Sequence, residues 1–150
     1  MSRLRIVGLA AFAVLACALR AEAACTVSAG GVNFGSYSVF AAGATTSTAT
    51  ITYRCGNADH NIRVDLSTGS SGTYTARTLT KSSETLSYNL FLDAAFGTVW
   101  GDGSGTTGDY TKGNPPNGTD VNLTVYGRIT AQQDVSAGSY SDTVVATINF

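Results

Sequence analysis

Charge is scarce in this chain of 150 residues: 13% are Asp, Glu, Lys or Arg, and the formal net charge is −1. Three of the nine basic residues, Arg3, Arg5 and Arg20, sit at the extreme N-terminal end. That balance attracts neither nucleic acid nor an anionic membrane surface. Histidine occurs once, at His60, and no Cys-x-x-Cys pair is present, which removes the usual metal-binding and redox patterns. After Glu22 the one glutamate is Glu84, so paired-carboxylate glycosidase chemistry would depend on scattered aspartates. Asp59-His60 in a polar stretch reads as a solvated turn rather than half of a catalytic triad. No enzyme, cofactor or metal is expected.

Helical periodicity is also missing beyond the first two dozen residues. There, Arg3 and Arg5 precede an uncharged run from Ile6 to Leu19, and Ala21-Glu22-Ala23 supplies small residues at the two positions a signal peptidase reads. Residues 1–23 are therefore predicted to be a signal peptide. The run is shorter than the ~20 residues that span a bilayer, so stable membrane insertion is not expected. Lipidation at Cys17 is the rival reading, and Leu15 fits it poorly. Removal of Cys17 with the signal leaves Cys25 and Cys55, an even pair in an oxidising compartment, and a disulfide between them is expected.

What the chain has in quantity is short alternating stretches between Gly- and Asn-rich turns. Val32–Tyr37 reads as a first strand, and Thr48–Cys55 as a second with Ala49, Ile51, Tyr53 and Cys55 on one face. After a turn at 57–61, Ile62, Val64 and Leu66 alternate inward; Leu86, Tyr88, Leu90 and Leu92 form a further row, and Val121, Leu123 and Val125 another. Six or seven antiparallel strands without a helix predict an all-β sandwich over residues 24–150. The long loop from Phe96 to Asp120 carries Asp102 and Asp109, but the Asp-x-Asp-x-Asp-Gly calcium pattern is absent. Asn117-Gly-Thr and Asn122-Leu-Thr match the N-glycosylation triplet, which matters only in a glycosylating host.

The last stretch, Gly138 to Phe150, places Tyr140, Val144, Ala146, Ile148 and Phe150 on one face of a strand and mostly Ser, Thr and Asn on the other. No turn signal or further strand follows. An apolar terminal strand with free backbone groups predicts pairing with a strand from another chain.

Several motifs in order then resemble the spore coat protein U domain, which also forms subunits of archaic (Csu-type) chaperone-usher pili. They are Cys25-Thr-Val, Asn33-Phe-Gly-Ser-Tyr37, Ile51-Thr-Tyr-Arg-Cys55, Leu86-Ser-Tyr-Asn-Leu90, Val99-Trp-Gly-Asp102, Val125-Tyr-Gly-Arg-Ile129 and Ala137-Gly-Ser-Tyr-Ser-Asp142. The resemblance implies an immunoglobulin-like pilin fold lacking its last strand. It also implies a periplasmic pilus chaperone that keeps the subunit soluble, an usher, and a donor-strand subunit that completes the sheet on the cell surface, in adhesion or biofilm formation. On that reading Tyr140, Val144, Ala146, Ile148 and Phe150 flank the donor-strand groove, with Val32 and Phe34 on the opposite side. A donor of strands needs a free N-terminal arm of roughly ten residues, and a chain processed to Ala24-Cys25 is expected to accept a strand without giving one. The alternatives are a self-complete spore-coat or surface-coat protein, and a carbohydrate-binding module with Trp100, Tyr110 and Tyr126 as stacking candidates.

Overall fold

The computed structural model describes residues 25–56 and 60–150. The predicted signal peptide, Asp59 and most of the 57–61 turn lie outside those residues. Eight strands follow one another: β1 Thr26–Ala29, β2 Thr45–Arg54, β3 Ile62–Leu66, β4 Arg77–Lys81, β5 Glu84–Phe91, β6 Tyr110–Lys112, β7 Val121–Ile129 and β8 Ala146–Asn149. A five-stranded sheet in the order β1-β2-β7-β5-β4 faces a three-stranded sheet in the order β6-β3-β8. All strand pairings are antiparallel. No helix among the described residues is long and apolar enough to cross a membrane.

The period-two rows build the core. Ile51, Tyr53 and Cys55 from β2 and its end, Ile62, Val64 and Leu66 from β3, Leu86, Tyr88 and Leu90 from β5, and Val125 and Ile129 from β7 are all buried. Their partners in register keep the same face: Tyr88 lies opposite Ile129 and Ile51 opposite Leu123. Alternation in a half-buried sheet requires this, because a slip of one residue would turn each row to solvent.

Three findings differ from the sequence-based expectations. Val32–Tyr37 does not join a strand ladder; the paired strand is Thr26–Ala29, in register with Ile51–Arg54. Gly35 adopts φ +66° and its amide donates to Asn33 Oδ1, a turn that interrupts any continuous strand there. The Phe96–Asp120 loop contains β6, whose Tyr110 pairs opposite Val64. The terminal strand is shorter than expected, because Ser141 instead pairs with Thr80 at the edge of β4.

Two buried side chains tie loops to the sheets. Trp100 is 1% exposed, and its Nε1 donates to Val64 O at 2.9 Å. Burial leaves no ring face for a sugar, which overturns the stacking role considered for this residue. Arg77 is completely buried and donates to Ser67 O twice, to Trp100 O and to Asn89 Oδ1, with its guanidinium 5.3 Å from the Tyr74 ring centroid. Burial lowers its pKa, and these neutral acceptors disperse its charge.

Candidate functional site: an open apolar groove

The disulfide Cys25–Cys55 closes a segment of 30 residues that contains β1, the 31–40 stretch and β2. The 31–40 stretch forms one wall of a groove. Val32 and Phe34 reach over Gly127 of β7, where an added Cβ would stand 2.8 Å from Val32 Cγ1 and 2.8 Å from Phe34 Cζ. The glycine is thus what admits these two side chains onto the sheet. Phe34 meets Tyr88 edge to face at 5.8 Å between centroids. At the far end of the wall, the Tyr37 hydroxyl donates to Thr130 O and accepts from the Gln133 amide at 2.7 Å.

The opposite wall is the 135–146 segment. Lys81 Nζ donates to Ser136 Oγ and Ala137 O, each at 2.6 Å, and Tyr140 Oη donates to Glu84 Oε2 at 2.8 Å. Ser136 also donates to Glu84, and with Tyr140 it draws the Glu84 carboxyl below the ordinary carboxylate range. Thr80 and Ser141 exchange both backbone hydrogen bonds. A polar clasp from the β4–β5 hairpin thereby fixes this wall.

Two adjoining clefts lie between the walls, of about 850 Å³ and 270 Å³. Leu86 and Ile129 floor the larger one, and Ile51, Leu90 and Val125 the smaller. Val32, Phe34, Leu79 and Asp142 border both. Several flanking apolar side chains pack on the core without being buried, among them Val32, Phe34, Leu79, Val135, Tyr140, Val144 and Ala146. Among the described residues, no backbone–backbone hydrogen bond joins 31–37 to 135–146.

The edge of β8 shows why. Ser67 N donates to Val145 O, and β8 continues this ladder along β3. Antiparallel alternation then turns the N–H and C=O groups of Val144, Ala146 and Ile148 away from β3, at Val144 and Ala146 beside the smaller cleft, and no strand of the described residues pairs with them. An apolar floor beside an unpaired edge is a place where a further strand can pair.

The structure distributes the expected groove residues unevenly. Val32, Phe34 and Tyr140 border the larger cleft, and Val32, Phe34, Val144 and Ala146 the smaller. Ile148 packs on the core opposite Val64, and Phe150 is 55% exposed beyond β8; neither borders a cleft. Sequence reasoning missed Asp142, although its position is in phase with Tyr140 and Val144. Asp142 Oδ1 accepts from Ser70 N, Ser70 Oγ and Thr143 N, and Oδ2 accepts from Tyr88 Oη at 2.7 Å. Burial raises its pKa, but hydrogen bonds from Ser70, Tyr88 and Thr143 outweigh that and leave it below the ordinary value. The same partnership, after burial, holds the Tyr88 phenol above its ordinary range. Among the described residues, no cluster of His, Cys, Asp or Glu is placed to hold a metal.

Comparison with known proteins fits this geometry. Protein U of Myxococcus xanthus is 41% identical over 69 residues, 46% of this chain and 36% of that protein. The fold is shared with a chain in the crystal structure of the CsuC-CsuE chaperone-tip adhesion subunit pre-assembly complex, from the archaic chaperone-usher Csu pili of Acinetobacter baumannii. That match has a TM-score of 0.62 at 24% identity and covers 85% of this chain and 40% of the other. The chain thus spans about two-fifths or less of the length of either relative. Its sandwich is immunoglobulin-like. The family model for the Spore Coat Protein U domain matches residues 10–147, nearly the whole sequence, and the chain belongs to that family.

Proposed function

We propose that this protein is a structural subunit of a chaperone-usher type pilus or surface fibre, which accepts a β-strand from a neighbouring subunit in the groove between residues 31–37 and 135–146. The observation that carries the reading is the unpaired edge of β8 beside clefts flanked by partly exposed apolar side chains, Val32, Phe34, Leu79, Val144 and Ala146 among them. A donated strand adds main-chain hydrogen bonds along that edge and seats alternate side chains in the clefts. Four or five apolar side chains buried at ~1.5–3 kcal/mol each give a gross stabilisation of about 6–15 kcal/mol before ordering costs. Membership of the family and the shared fold support the assignment. The subunit is exported to the periplasm, held there by a pilus chaperone that covers the groove, and passed by an usher to the cell surface, where the fibre acts in adhesion or biofilm formation. Its role is assembly, with no catalytic step.

The test is periplasmic expression with and without a pilus-type chaperone, followed by yield, oligomeric state and thermal unfolding. The expected result is a protein that polymerises or is degraded alone and is recovered as a one-to-one complex with the chaperone. A stable monomer that unfolds cooperatively and ignores the chaperone overturns the reading in favour of a self-complete coat protein.

A further inference from the structure

We propose that Asp142 sets the register of the incoming strand, and that this strand carries a hydroxyl-bearing or other hydrogen-bond-donating residue, flanked on both sides by apolar ones, at the position that meets it. The inference rests on the strand-accepting groove argued above. Asp142 borders both clefts, so it stands where the larger passes into the smaller. Floor residues on either side of it, Leu86 and Ile129 in one direction and Leu90 and Val125 in the other, are apolar. A strand laid along the groove therefore meets one carboxylate between two apolar stretches.

The two oxygens of that carboxylate are unequal. Oδ1 is engaged by three donors, whereas Oδ2 receives the Tyr88 hydroxyl alone, and no Lys, Arg or His of the described residues forms an ion pair with either. An ionised carboxylate oxygen takes more than one hydrogen bond, so Oδ2 has acceptor capacity left. The group cannot swing aside, because the Ser70 amide, at 2.8 Å, and the Thr143 amide, at 2.8 Å, hold it from two segments of backbone. A strand that places an apolar side chain there takes water from the carboxylate and leaves Oδ2 the Tyr88 hydroxyl as its one donor, and one that places a carboxylate there sets like charges together. A serine, threonine or asparagine supplies the missing donor. Because side chains face the groove at every second residue, a strand displaced by two residues brings an apolar group to Asp142, and the penalty falls on the whole misaligned complex.

The experiment uses three synthetic peptides of about a dozen residues. Each has Val at alternate groove-facing positions, Thr and Lys at the others, and Ser, Val or Asp at the central groove-facing position. Each labelled peptide is added to the purified one-to-one complex with the chaperone, and its exchange into the groove is read by fluorescence anisotropy as an apparent affinity. The Ser peptide is expected to bind about tenfold more tightly than the Val peptide and more tightly still than the Asp peptide. Asp142→Asn is expected to bring the Ser and Asp peptides to within about threefold of each other. If Asp142 served only to brace the Gly69–Ser71 turn, the substitution would move all three affinities together. Equal binding of the three peptides to the unsubstituted protein refutes the register role and leaves strand acceptance standing. Binding of none of them overturns the groove reading itself. The ranking on the unsubstituted protein decides the matter even where the variant does not fold.

Discussion

Removal of the Cys25–Cys55 bridge, by substituting both cysteines with alanine, tests how the groove wall is held. The bond spans 30 residues, and this loop contains the whole 31–40 wall. In the chain-entropy account, cross-linking a loop of that length restricts the unfolded chain by about 12 cal/mol/K, or ~3.5 kcal/mol at 25 °C. Cys55 is 2% exposed, so loss of its sulfur from the core adds roughly 1 kcal/mol. For a domain of about 125 residues, 1 kcal/mol corresponds to about 4 °C in Tm, which predicts a fall of about 15–20 °C. Scanning calorimetry of the oxidised protein and the double variant, at one protein concentration and with the same groove occupancy, measures it. A fall of less than about 5 °C refutes the reasoning. It would mean that the wall is held by its own contacts, Val32 and Phe34 on Gly127 and Tyr37 on Thr130 and Gln133, and that the unfolded chain gains little freedom when the bridge is lost.

Arg77→Met keeps side-chain length and leaves Ser67 O and Trp100 O without their donor, at ~1–3 kcal/mol each, and Asn89 Oδ1 with the Leu90 amide. Relief from burying a cation offsets part of this, so a net loss of about 2–4 kcal/mol is expected from the urea midpoint at unchanged slope. A change within about 0.5 kcal/mol would show that the buried charge is neutral for stability. The Asp142 carboxyl has a folded pKa below its unfolded one, so its contribution is present above the unfolded value of about 4 and is lost as pH falls through the folded value. Glu84, Asp93 and Asp102 are lowered as well, so the fall alone identifies no residue. The measurement is urea stability between about pH 6 and 2 for the protein and for Asp142→Asn, and identical slopes would remove Asp142 from the acid response.

Period-two rows made the core legible because Ile51, Val64, Leu86 and Val125 are buried by the sheet they belong to, and alternation reports that directly. The groove was harder to read for the same reason. Val32–Tyr37 alternates like a strand, yet whether it pairs depends on what lies beside it, and alternation is blind to neighbours. The Asn33–Gly35 turn is the local signal that decided against a ladder. Arg77 and β6 were invisible from sequence. A lone basic residue is buried only if carbonyls from Ser67 and Trp100 converge on it, and three residues in a Gly-rich loop pair only because β3 offers an edge. Asp142 did leave a mark. It occupies the even-numbered face shared by Tyr140, Val144, Ala146 and Ile148, where a carboxylate breaks the apolar row. A charge on the buried side of a strand is costly unless something satisfies it. Within the chain Tyr88, Ser70 and Thr143 do so in part. Asp142 borders both clefts, which makes the out-of-pattern residue the place where the sequence records a demand on its partner.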